Sequence, residues 1–338
     1  MPSNAKRYRI AIDAMGGDFA PANEIKGGIQ ALANPPAGIS PEIIFVGKED
    51  VIKSHLDNIG NPKGNYSIYN ADEVVTMKDD PTTAFKQKKN SSLFVGVDLV
   101  RQGKADAFVS AGNTGAVLST STLLLGRIKG VSRPTIGSYF PGLNKNVLVL
   151  DVGANAECKP QFLYDFAVMG SIYIEKIYGI SEPKIGLLSI GEEESKGNTL
   201  VIETHKLLKN SNLNFAGNME GRDILTSDYD VVICDGFVGN IILKLAESVL
   251  TLLKGKFKEY AAKSLKNKIM MGMFLPVLRD ALADFDYQKH GGVPLLGING
   301  VIIIGHGKST PLAIENMIKR AIEQIDKDVN LEIEKALN

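Results

Sequence analysis

The sequence predicts an α/β protein with a mostly parallel sheet between layers of helices, and three observations predict it. Seven short apolar runs rich in Val and Ile each end in a cluster of Gly, Asp, Asn or Ser. Such runs suit strands buried on both faces, as in parallel sheets. They alternate with helical patterns from the start to about residue 245, as successive βαβ units do. After that, a long helical stretch intervenes before one last strand.

Taken in order, Arg9–Asp13 runs into Ala14-Met15-Gly16-Gly17-Asp18, Ile43–Val46 into Gly47, and Ala107–Val109 into Ser110-Ala111-Gly112-Asn113-Thr114-Gly115. Val147–Leu150 runs into Asp151-Val152-Gly153-Ala154-Asn155, and Ile185–Ile190 into Gly191. Val231–Cys234 leads to Asp235-Gly236-Phe237-Val238-Gly239-Asn240, and Val301–Ile304 to Gly305-His306-Gly307-Lys308-Ser309. Between the second and third runs, Ser91 or Ser92 can cap a helix whose face is Leu93, Val97 and Val100, with Gly103 placed for a left-handed C-terminal cap. A long helix is expected from Ile241 to about Lys268, with six lysines between Lys254 and Lys268 against Glu259 alone. The apolar segment Ile269–Pro276, broken by Gly272 and Pro276, is expected to be the tip, and a second helix from Val277 to about Tyr287 to return. A final helix is expected over about Pro311 to Leu337. The organisation is therefore one α/β/α unit over 1–338 with an amphipathic helical hairpin inserted at 241–290. Ligands of open α/β sheets bind outside the carboxyl ends of the strands. Here those ends are expected to share one rim of small residues and exposed N–H groups, which suits an anion, most often phosphate.

Composition narrows the class. The chain has 338 residues with an apolar fraction of 44%, ordinary for a globular protein. Lys+Arg and Asp+Glu are equal at 38, so bulk charge does not point to nucleic acid. Two cysteines, Cys158 and Cys234, with no CxxC fit a reducing cytosol and argue against a structural metal site. No apolar run approaches the roughly 20 residues of a membrane span, and the N-terminus leaves no room for a signal peptide. A cytoplasmic protein, able to lie on a membrane, is expected.

Several motifs carry candidate chemistry. Gly16 and Gly17 let backbone amides approach a ligand, while Asp13 and Asp18 can bind a cation, act as a base or merely cap the turn. This is not the G-x-G-x-x-G dinucleotide fingerprint, which occurs nowhere in the chain. Gly112, Asn113, Thr114 and Gly115 make a loop that can hug an anion; close helix–sheet packing is the alternative. Gly305–Ser309 fails as a Walker A loop because Ile302 stands where that motif needs glycine. Gly307 and Ser309 still suit a phosphate at a helix start, and His306 can serve as acid, base or donor. Lys88 beside Ser91, and separately Arg133 and Lys159, are candidate cations for phosphate. Asp235, Asn155 and Asn240 lie in loops of the same kind. Cys158 and Cys234 are not expected to be nucleophiles, since free cysteines are usually small buried hydrophobes.

Taken together, these loops resemble the bacterial phosphate acyltransferase family of phospholipid synthesis. Ile12–Pro21 carries the family's opening signature, and the resemblance continues through Lys88–Ser92, Ser110–Ala116, Ser132-Arg133-Pro134, Asp151–Asn155, Cys234–Asn240, Tyr287–Gly292 and Gly305–Ser309. It implies a Rossmann-like αβα sandwich related to phosphotransacetylases and isopropylmalate dehydrogenase-like folds. It also implies a homodimer that transfers a fatty acyl group from acyl carrier protein to inorganic phosphate. The same resemblance implies that Asp13, Asp235, Asn155 and Asn240 are candidates to orient phosphate or manage a proton. The acyl phosphate would feed a membrane glycerol-3-phosphate acyltransferase. No cofactor, no metal and no covalent acyl-enzyme are expected, because phosphate is itself a nucleophile. Rival readings are a small-molecule kinase of the actin-like fold and a non-catalytic carrier- or membrane-binding module. The basic hairpin, through Lys254, Lys258, Met271 and Phe274, is the expected contact for anionic lipid or the acidic carrier protein.

Overall fold

The computed structural model describes residues 5–226, 228–281 and 291–338. In chain order its first half comprises β1 (Lys6–Asp13), α1 (Ala22–Ala33), β2 (Ile39–Gly47), α2 (Glu49–Asn58), β3 (Tyr66–Asn70), α3 (Pro81–Gln87), α4 (Ser92–Arg101), β4 (Ala107–Ser110) and α5 (Thr114–Leu125). Next come β5 (Thr135–Phe140), β6 (Val147–Leu150), α6 (Pro160–Tyr178), β7 (Ile185–Leu188), α7 (Thr199–Lys209), β8 (Phe215–Met219) and β9 (Val231–Ile233). The chain closes with α8 (Gly236–Ala262), α9 (Leu265–Ala281), β10 (Val293–Leu296), β11 (Val301–Ile304), α10 (Pro311–Asp326) and α11 (Val329–Leu337). All seven apolar runs of the sequence are strands.

The strands form one sheet in the order β3-β2-β1-β4-β11-β10-β5-β6-β9-β7-β8. From β3 to β11 every neighbouring pair is parallel. The three steps β11-β10, β10-β5 and β5-β6 are antiparallel. From β6 to β8 the pairs are parallel again. Three reversals leave the two parallel halves running in opposite directions. The carboxyl ends of β1, β4 and β11 therefore lie along one edge, and those of β6, β9 and β7 along the other. The single rim expected from the sequence is two rims.

Both faces of the sheet are covered. Ile10, Ile12, Phe45 and Ile303 pack with Ile25 of α1 and Ile314 and Ile318 of α10. Phe108, Val149 and Ile302 pack with Leu93 and Val97 of α4 and Val117 of α5. Leu148, Leu187 and Ile233 pack with Phe166 and Tyr173 of α6 and Ile333 of α11. Each fully buried side chain of this kind contributes about 1.5–3 kcal/mol. The central strands β4, β6, β7 and β11 are wet on neither face, which is why their sequences read as unbroken apolar runs.

Local chemistry sets the helix ends. Ser91 caps α4, its Oγ accepting from Phe94 N at 3.3 Å, and Gly103 takes φ +67° just past the end. The hairpin differs from expectation. Asp235 caps α8 through Val238 N at 2.9 Å, so that helix starts at Gly236. The break falls at Lys263-Ser264, where Ser264 Oγ accepts from Asn267 N at 3.1 Å and starts α9. A serine cap decides the turn. Ile269–Pro276 lies inside α9, with Pro276 in the helix, and is not a broken tip. The expected end of that helix near Tyr287 lies outside the described residues. The last helix is also two, α10 and α11, because Asp328 takes φ +52° between them.

Candidate active site

On the first rim, three strand-to-helix loops meet. The Asp18 N–H donates to Gly307 O at 2.7 Å, and Gly305 N–H to Ser110 O at 2.8 Å. A Cβ at Gly112 would lie 3.0 Å from Gly16 O, so these two loops touch through backbone alone. Asp13 is the buried centre, 2% exposed. Its carboxylate accepts from Ser110 Oγ at 2.8 Å and from Met15 N at 3.2 Å. Ser110 Oγ in turn accepts from Gly112 N at 3.0 Å. Burial raises the Asp13 carboxyl, and hydrogen bonds from Ser92, Ser110 and Met15 oppose it. The loops thus form a cradle whose shape depends on one buried acid.

The other residues assigned to this rim take more specific roles. Asn113 caps α5, accepting from Ala116 N at 3.1 Å and donating to Asp79 O at 3.1 Å. Gly115 lies against α3, where a Cβ would meet Pro81 Cγ at 2.8 Å. Both residues thus have a packing or capping role, the alternative weighed for this loop from the sequence. Thr114 stands exposed at the first position of α5. Lys88 is not a free cation: its Nζ donates to Asp79 Oδ2 at 2.7 Å and Val74 O at 2.8 Å. Through that pairing the Asp79 carboxyl falls to about 2. Ser91 Oγ is spent on the α4 cap and Lys88 O. Ser309 is buried, its Oγ donating to His306 O at 2.6 Å. His306 is exposed, and its Nδ1 accepts from Lys308 N at 3.1 Å.

The second rim gathers Asp151, Asn155, Asp235 and Asn240. Asp151 is wholly buried and accepts from the N–H groups of Gly153, Ala154 and Asn155 and from Asn155 Nδ2. Asn155 also donates to Pro134 O at 2.8 Å, which brings the start of β5 to this rim. The Asn155 carbonyl accepts from Gly236 N at 2.8 Å. Gly239 is required there: a Cβ would collide with Asp151 O and stand 2.9 Å from Cys234 Sγ. Asn240 faces Gly153 and is exposed. Arg133 is exposed with its guanidinium 5.7 Å from the Phe162 ring centroid. Lys159 precedes α6, whose start has no side-chain cap.

Each of these hydrogen bonds and close approaches stays within one rim. Arg133 and Lys159 lie with the second rim, at the edge of the sheet opposite Gly16, Gly17 and Gly112. Cys158 sits half-buried on the second rim, its Sγ 3.5 Å from Asn155 O. Burial, with Asp151 and Asp235 adding to it, pushes its thiol up to about 11. A thiol is not ionised near neutral pH in that environment and is a poor nucleophile. Cys158→Ala should keep at least half of wild-type turnover; a folded variant with none would establish covalent catalysis.

Ser110 and Glu24 were not singled out from sequence as site residues, and Ser92 was read only as a helix cap beside Ser91. Ser110 ends a strand and is visible only as part of a small-residue loop. Glu24 reads as an ordinary acid in a first helical turn. In the fold it is 1% exposed behind Gly17.

The hairpin exposes many apolar side chains. Leu245, Leu252, Leu265, Ile269, Met273, Phe274 and Val277 are each more than half exposed. Lys254 and Lys258 are exposed on α8, whereas Met271 is half-buried. By length and composition alone α8 is apolar enough to cross a membrane, but it packs against α9 and starts on the second rim. Among the described residues no group of three His, Cys, Asp or Glu side chains is arranged to hold a metal ion.

A family model described as fatty acid synthesis protein matches residues 8–332. A phosphate acyltransferase of Halothermothrix orenii is 44% identical, over 95% of this chain and 96% of the relative. One from Dictyoglomus turgidum is 43% identical, over 98% of each. Among solved structures, phosphotransacetylases of Streptococcus pyogenes and Staphylococcus aureus superpose with a TM-score of 0.60 at 18% identity. Each superposition covers 95% of this chain and 94% of the other. These share the fold.

Proposed function

Since the chain belongs to the fatty acid synthesis protein family, whose relatives here are phosphate acyltransferases, we infer that this acyltransferase moves a fatty acyl group from acyl carrier protein to inorganic phosphate. The observation that carries the phosphate assignment is the first rim. Three loops of Gly, Ser, Asn and Thr close on one another there through backbone bonds, at the exposed start of α5. Backbone N–H groups at a helix start suit a phosphate. A phosphate oxygen attacks the thioester carbonyl, a tetrahedral oxyanion forms, and the carrier protein leaves as its thiol. Holding the dianion against a neutral carbonyl is mainly a matter of positioning and of fixed donors. Nothing observed favours a kinase or a non-catalytic module.

The test is direct. Incubation with an acyl–carrier protein thioester should release free carrier protein and acyl phosphate only when phosphate is present, without nucleotide or metal. Equal thioester cleavage without phosphate, or strict dependence on ATP, would overturn the assignment.

We further propose that the enzyme is a cytoplasmic homodimer that docks peripherally on anionic membrane through the hairpin, delivering acyl phosphate to a membrane glycerol-3-phosphate acyltransferase. Exposed apolar side chains beside six lysines support this. Each lysine near an anionic surface contributes about 1 kcal/mol. Because Met271 is half-buried, Met273 is the better probe beside Phe274. A Met273→Glu, Phe274→Glu double variant should lose at least tenfold in affinity for phosphatidylglycerol-containing vesicles at low salt. Equal sedimentation with vesicles by both proteins would contradict it.

A further inference from the structure

Behind the Gly16-Gly17-Asp18 turn the fold buries a carboxyl group that the chemistry above does not use. Glu24, in the first turn of α1, is 1% exposed. Its carboxyl occupies the space that any side chain at position 17 would need, with Cδ 3.3 Å from a Cβ there. Among the described residues its Oε2, fully buried, has no hydrogen-bond partner. A buried, unpaired carboxylate is costly, and neutralising it by protonation is the usual escape.

The surroundings give that proton a consequence. The acids facing Glu24 are Asp13 at the end of β1 and Asp18 in the turn. From the loop before α10, whose Gly307 carbonyl approaches the same Gly17, come His306 and Lys308, which bond each other. On α10, Glu315 is already paired with Lys319 at 2.7 Å. Burial, then Asp13 and Asp18, push the Glu24 carboxyl up to about 8. It is therefore protonated at neutral pH and ionises as the pH rises through that value.

We propose that Glu24 is a proton-carrying positioning residue of the phosphate cradle: neutral, it supports the Gly16–Asp18 turn, and ionised, it repels the incoming phosphate. The proposal rests on placing phosphate at the first rim. Glu24 acts through the turn in front of it and through its charge, not by touching the reacting atoms. Its ionisation releases one proton to solvent. The resulting anion sits in a low-dielectric position beside the acids already there, where a like charge acts strongly on a dianion.

The experiment compares the phosphate KM of the wild type and Glu24→Gln between pH 7 and pH 9, at saturating acyl–carrier protein. Glutamine has the same shape and stays neutral, and the titration of phosphate itself is common to both proteins. The ratio of the alkaline to the neutral KM should be about tenfold larger for the wild type than for Glu24→Gln, with little difference in the pH profile of kcat. Glu24→Met, also neutral throughout, should share the flatter KM profile and serves if Gln is not tolerated. Parallel KM profiles for wild type and variants would overturn the proposal. A Gly16→Val arm separates the two readings. If Gly16→Val damages phosphate use while the Glu24 profiles run parallel, only the role of Glu24 falls. If Gly16→Val leaves phosphate KM and turnover intact, the phosphate site itself is misplaced, and the Glu24 proposal falls with it.

Discussion

Replacing Asp151 with alanine is expected to destabilise the protein by several kcal/mol, because it strips the acceptor from a set of buried donors. Both carboxylate oxygens are used. Oδ1 accepts from Gly153 N at 3.2 Å, Ala154 N at 3.0 Å and, more weakly, Ile136 N at 3.4 Å. Oδ2 accepts from Asn155 N and Asn155 Nδ2, both at 2.8 Å. Burial pushes the carboxyl up, and these donors oppose that push. Alanine would leave the donors facing a void, and each orphaned buried donor costs roughly 1–3 kcal/mol. The damage would spread, because Asn155 also holds Pro134 and the first N–H of α8. Asp151→Asn keeps one acceptor oxygen and should lose less. A urea titration of both variants checks the order. An Asp151→Ala midpoint within error of the wild type would mean that the loop is held by other contacts.

How far the sequence showed this architecture depended on burial. Strands such as Val147–Leu150 and Val301–Ile304 are covered on both faces, and their composition says so. Apart from the apolar Val293–Leu296, the strands it did not show are the polar or half-exposed ones. Tyr66–Asn70 and Phe215–Met219 are the two sheet edges and lack a continuous apolar run. Thr135–Phe140 is buried but carries Thr135, Gly137 and Ser138, so it reads as a loop. That omission had the largest effect. Without β5 and β10 the sheet contains no reversal, and all the loops fall on one rim. With them, the candidate residues divide into two sets.

The site was legible by residue type, not by role. Gly16, Gly17 and Gly112 were found because close backbone approach demands glycine, and the fold places them together. Lys88 looked like a phosphate cation because Asp79, nine residues earlier, is invisible as its partner until the turn between them forms. Asn113 looked like a ligand-binding tip, whereas its amide is occupied by a helix cap and a carbonyl. Glu24 gave no signal, since nothing in a sequence distinguishes a buried helix-start acid from a solvated one.

The largest loss of activity is expected from Gly16→Val. A Cβ at Gly16 would overlap the Asp13 carboxylate, lying 2.7 Å from Cγ and closer still to Oδ2, and 3.1 Å from Ser110 Oγ. The carboxylate cannot swing away freely, because Ser110 Oγ and Met15 N hold it. Either the turn lifts or the Asp13–Ser110 bond breaks. Both outcomes disturb the contact between the Asp13 turn and the Ser110–Gly112 loop, so the two halves of the cradle lose their common anchor. Overpacking of this kind costs about 1–3 kcal/mol, which a chain with this much buried core should survive folded. Turnover depends on donors fixed before the dianion arrives, and losing even one such donor typically costs on the order of a hundredfold. Turnover should therefore fall at least that far while the thermal transition stays cooperative. Gly221→Ala is the control: it follows β8, on the edge opposite the first rim, nothing stands within 4 Å of its Cβ position, and its activity should match the wild type. A folded Gly16→Val protein that releases acyl phosphate at near-normal rate would show that the reaction does not take place at the first rim. Gly239→Val would then be the next variant to assay. Its side chain would strike the Asp151 carbonyl and open the second rim in the same way.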